Sequence, residues 1–159
     1  MLFRSRVWIY QSNRLLFMSE ALQLEEMLHN FIKEWNSHGK KVKGFGTLFF
    51  GQFLILMADE TVAGVSGCST DSSVHFIQQV EKTFNIQLLN RQIMAFWHKD
   101  KVQTIPLSQV TYALEHGLIL PDTLYFNNLA DTKQKLIEEW LVPVKESWLK
   151  RFLPANASL

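Results

Sequence analysis

The chain has 159 residues, 47% hydrophobic and 19% charged, a balance that supports a buried core and excludes intrinsic disorder. Sixteen Lys and Arg against fifteen Asp and Glu leave a net charge of +1, far from the basic excess of a nonspecific nucleic-acid binder. The single Cys excludes an internal disulfide and a cysteine-based zinc site, and fits a reducing, cytoplasmic setting.

The opening "MLFRSRVWIYQSNRLLFMSE" has no uninterrupted apolar stretch and no small-residue cleavage site, so no signal peptide is expected. Within it, "RVWIYQS" (6–12) is β-branched and aromatic, and predicts the first strand. Ser19 is the predicted cap of a helix whose residues Leu24, Met27, Leu28, Phe31, Ile32 and Trp35 recur at three- and four-residue spacing, with Gly39 as its stop. "KVKGFGTLFF" and "QFLILMA" predict a hairpin turning at Gly51-Gln52, with Gly44 and Gly46 marking a bulge or kink. The unbroken apolar run 53–58 predicts a central strand, and the longer run 47–58, broken by Gly51-Gln52, is too short to span a bilayer. Ser69 or Asp71 then caps a second helix with the inner stripe Phe76, Ile77, Val80 and Phe84. Two strands about Lys99-Asp100 end near Pro106, and a short helix over 108–116 stops at Gly117. A strand over 123–126 and two helical segments split by Pro143 follow.

No repeat or long linker divides the chain, which predicts one domain over 1–159, with a core over about 6–152 and 153–159 frayed. The order strand, helix, strand, strand, helix, strand predicts an α+β, ferredoxin-like βαββαβ core. Its sheet is expected to be antiparallel or mixed, with an extra strand and a helical C-terminal extension. First and third strands are expected as parallel neighbours, which brings their exit loops, 11–14 and 59–72, together at one end of the sheet.

In "VWIYQSNR", "SGCSTDSSVHFIQ" and "VPVKESWLKRF", and from Val7 to about Phe152, the chain resembles a small bacterial family labelled "ABC transporter ATPase", a resemblance that brings no known activity. "FLILMADE" (53–60) looks like a Walker B strand ending in Asp59-Glu60, and "VSGCS" (65–69) like the ABC signature. A phosphate loop needs a Gly-rich turn ending in Lys and Ser or Thr, so that backbone amides and an ammonium meet the phosphates. No such sequence occurs here, and the two ABC-like pieces stand in reverse order, so a P-loop ATPase is not expected.

Cys68 invites two chemistries. A thiol near a helix N-terminus gains thiolate character, with His75 as a base, if the protein is an enzyme; against this stands a small thiol packed in a glycine turn. The same stretch also reads as an anion cradle. Helix-start amides with Ser66, Gly67, Cys68, Ser69, Thr70 and Ser72, and Asn13 and Arg14 from the neighbouring loop, would hold a phosphate or carboxylate. Capping alone also explains those hydroxyls. The five His form no ligand pair, so no metal and no cofactor are expected. The expectation is therefore a cytoplasmic module, more a binder or sensor of a small anionic ligand than an enzyme. It is expected as monomer or homodimer without nucleic-acid or membrane partners, its alternatives being a Cys68-dependent enzyme and a protein-interaction or structural domain.

Overall fold

The computed structural model describes residues 4–37, 40–59 and 67–156, with the backbone alone for 36, 37 and 67–69. Over these residues the fold is α+β, with four α-helices, two antiparallel sheets of three and four strands, and a short two-stranded ladder. The chain divides into two compact units, Met1–Leu89 with Ala130–Ile137, and Asn90–Leu129 with Glu138–Leu159. No helix of the described residues is long and apolar enough to cross a membrane.

In the first unit, β1 (Arg6–Gln11) leads into α1 (Met18–Glu34). The short β2 (Asn36–Ser37) and β3 (Lys40–Lys41) precede the hairpin of β4 (Lys43–Phe49) and β5 (Phe53–Asp59), and α2 (Gly67–Phe84) follows. β5 is the middle strand, in the order β1-β5-β4, and all seven of its residues are buried, as its unbroken apolar run predicts. Leu54, Leu56 and Ala58 of β5 join Leu24 and Leu28 of α1, Trp35 just past its end, and Phe76, Ile77 and Val80 of α2 in one core.

The expected parallel pairing of the first and third long strands is corrected. β1 and β5 are neighbours but antiparallel, with Arg6 opposite Ala58 and Gln11 opposite Phe53. The crossover through α1 returns β4 parallel to β1, and the hairpin then brings β5 back between them in the opposite sense. The end of β1 therefore meets the start of β5, not its exit.

Several boundaries move for local reasons. α1 begins one residue before Ser19, and the Phe17 N–H donates to Glu20 Oε1 at 2.9 Å, so a carboxylate closes the first turn. The hairpin turns at Phe50-Gly51, one residue earlier than expected, with φ of 55° and 62° and the Gln52 N–H donating to Phe49 O at 3.0 Å. Gly44 and Gly46 make no bulge, since the β4–β5 register runs through them unbroken. They let α1 lie close on the strand instead: a Cβ at Gly46 would stand 2.7 Å from Leu28 Cδ1, and one at Gly44 2.7 Å from Trp35 Cε3. α2 starts at Gly67, so Ser69 and Asp71 lie inside the helix and do not cap it. The Gly39 stop lies outside the described residues.

The strand after the second helix was expected to complete the first sheet. It opens a separate one instead: β6 (Ile93–His98), β7 (Lys101–Pro106), β8 (Leu124–Phe126) and β9 (Leu141–Pro143) pair in the order β7-β6-β8-β9. The free edge of β1 is met by the returning segment, where the Val7 N–H donates to Asp131 O at 2.9 Å and the Lys133 N–H to Ser5 O at 3.0 Å. α3 (Val110–Glu115) lies between β7 and β8, and Gly117 follows it at φ 67°, as a helix stop requires. Of the two helical segments expected around Pro143, only α4 (Lys133–Glu139) is an α-helix. Pro143 ends an edge strand, where its missing N–H costs no ladder bond, and 3₁₀ turns Val144–Glu146 and Trp148–Phe152 follow. Met94, Phe96, Ile105, Val110, Leu114, Tyr125, Val144 and Leu149 form the second core. The buried Tyr125 hydroxyl accepts from Trp148 Nε1 at 3.1 Å, and burial pushes its pKa up.

Candidate functional site

The expected anion cradle is not assembled. Arg14 Nη1 and Nη2 each donate to the Glu20 carboxylate at 2.8 Å, Nη2 also donates to Phe84 O at 2.7 Å, and Nη1 to Leu15 O at 3.2 Å. The guanidinium also sits 5.5 Å from the Phe17 ring centroid. Four of its five N–H groups are thus committed, and the Arg14 and Phe17 donors hold the Glu20 carboxyl at about 2. Asn13 is equally engaged: its N–H donates to Gln87 O at 3.1 Å, and its Oδ1 accepts from the Gln87 N–H at 2.8 Å.

This corner lies at the C-terminal end of α2, whereas Gly67, Cys68, Ser69 and Thr70 form its first turn. At about 1.5 Å per residue, Thr70 stands roughly 21 Å along the axis from Phe84, and so from Arg14. Ser66 lies outside the described residues. The antiparallel pairing of β1 and β5 is the cause, because it puts the exit of β5 at the opposite end of the sheet from the exit of β1. Cys68 and His75 are two helical turns apart, about 10 Å along α2, so the helix does not set them side by side. His75 is exposed and borders a shallow groove of about 420 Å³ between α1 and α2, where Phe31 and Phe76 stack at 4.3 Å.

A larger concavity lies in the second unit, a groove of about 880 Å³ along β7. One wall is the strand from Lys101 to Pro106, and the other is formed by Gln109 just before α3, Tyr112 and Ala113 within it, and Gly117 and Leu118 after it. Both residues of the Lys99-Asp100 turn have positive φ, 51° and 60°, which makes this a two-residue type I′ hairpin. In such a hairpin the flanking pair, His98 and Lys101, exchanges both backbone hydrogen bonds, and the pattern alternates from there. Lys101, Gln103 and Ile105 therefore bond inward to β6, while Val102 and Thr104 turn N–H and C=O outward. β7 is the edge of its sheet, and no described group bonds those four polar groups.

The groove's chemistry is lopsided. His98, Lys99 and Lys101 line its hairpin end, and no Asp or Glu lines it anywhere. Tyr112, 58% exposed, stacks on His116 at 3.9 Å and presents an open aromatic wall. The sequence locates this hairpin correctly but not its exposure, because strand order decides which strand is an edge. Among the described residues, no three His, Cys, Asp or Glu side chains group as a metal site requires. Comparison with protein-family models, curated proteins and solved structures finds no match.

Proposed function

We propose that the protein is a cytoplasmic, non-catalytic binding module that takes an extended polypeptide segment along β7 as an added strand. The observation that carries the reading is the row of outward N–H and C=O groups on Val102 and Thr104, facing a groove rather than a neighbouring strand. Main-chain bonding supplies affinity there, and the α3 wall supplies selectivity through Tyr112 and Leu118. On this reading the first unit is the scaffold. Its strands and helices follow a ferredoxin-like order, with the place of the fourth strand beside β1 taken by the Arg6–Thr132 bridge. The Cys68-dependent alternative draws no support from α2, which sets His75 two turns away.

The test is fluorescence anisotropy with a labelled, C-terminally amidated hexapeptide of alternating valine and threonine. Binding should be saturable and should protect the Val102 and Thr104 amides from deuterium exchange. Thr104→Pro removes an outward N–H without touching the inward ladder, and should weaken binding at least about tenfold with the fold retained. Binding unchanged in Thr104→Pro, with the Val102 and Thr104 amides of the unsubstituted protein still exchanging freely when the peptide is bound, would rule out strand addition.

A further inference from the structure

We infer that the groove is built for a chain terminus: its ligand is the C-terminal tail of a polypeptide, with the free carboxylate held by Lys99 and Lys101. This rests on the strand-addition reading above. β7 runs away from the hairpin, from Lys101 to Pro106, so a strand added antiparallel to it runs toward the hairpin and ends there. At that end Lys99 and Lys101 are exposed, and neither is ion-paired with a described residue. Asp100 stands at the hairpin tip and is not among the residues that line the groove.

The backbone phase of β7 fixes the register of such a tail. Only Val102 and Thr104 of β7 have outward N–H groups, so a tail whose carboxylate meets the two lysines sets its penultimate residue opposite Val102 and the residue two before it opposite Thr104, each exchanging two backbone hydrogen bonds. The last residue then lies opposite Lys101, which brings its carboxylate to the two ammonium groups. The antepenultimate residue lies opposite Gln103, on the face that Gln103 shares with Ile105. Ile105 belongs to the core with Val110 and Ala113 of α3, so this tail position points toward the α3 wall and favours an apolar side chain.

The experiment compares the amidated valine–threonine hexapeptide with the same peptide as the free acid. The free acid should bind about tenfold more tightly, and the double variant Lys99→Ala/Lys101→Ala should erase the difference while leaving the amide's affinity within about twofold. Equal binding of the two forms, with both still weakened in Thr104→Pro, overturns the carboxylate assignment and leaves the groove reading intact. Failure of both peptides to bind overturns the groove reading, and the terminus inference with it.

Discussion

Glu20 gives the first unit an acid-sensitive clamp. Its carboxyl is held at about 2, below the ordinary 4.5, first by the Arg14 hydrogen bonds and then by the Phe17 N–H. A depressed carboxyl stabilises the fold fully above its unfolded value and loses that contribution as pH falls through the folded one. Thermal melts of the protein and of Glu20→Gln should therefore differ by a constant amount above about pH 5 and converge between about pH 4.5 and 2. A gap that persists unchanged at pH 2 would show that the carboxylate charge contributes nothing. Two glycines separate close packing from backbone conformation. Gly46→Ala should cost about 1–3 kcal/mol, because the new methyl meets Leu28 in the core. Gly117→Ala should cost about 1 kcal/mol, because nothing lies within 4 Å and only the positive φ resists. Urea unfolding measures both, and a larger cost at Gly117 than at Gly46 would contradict this assignment of causes.

At the scale of the element, the two edges of the ladder in β7 should report different exchange behaviour. The amides of Gln103 and Ile105 bond to β6 and should exchange slowly in the free protein, whereas those of Val102 and Thr104 should exchange at nearly unprotected rates. Protection of all four alike would mean that the outward edge is already covered. Sequence periodicity foretold these elements well. β5 was readable as a central strand because its residues are apolar on both faces, and the Lys99-Asp100 turn because two strand-like runs flank two turn residues. Strand direction and edge position were not readable, since they depend on which segments pair, and pairing is a tertiary outcome. The misplaced anion site follows from that single step. Once β5 is antiparallel to β1, Arg14 and the start of α2 lie at opposite ends of the sheet, and Arg14 caps the end of α2 through Phe84.

For the whole molecule, the missing phosphate loop leads to a plain expectation. Magnesium-ATP should neither bind in calorimetry nor raise the melting temperature, and saturable binding would overturn it. The first unit is also discontinuous along the chain: it holds Met1–Leu89 and recovers Ala130–Ile137 only after much of the second unit has passed. During synthesis, the partners of Val7 and Ser5 on the β1 edge leave the ribosome more than forty residues after Leu89. At about 5–20 residues per second that is a delay of several seconds. Throughout it β1 presents an unpaired margin to every other nascent chain nearby, so the speed of translation between Leu89 and Ala130 sets how long this protein is open to mispairing.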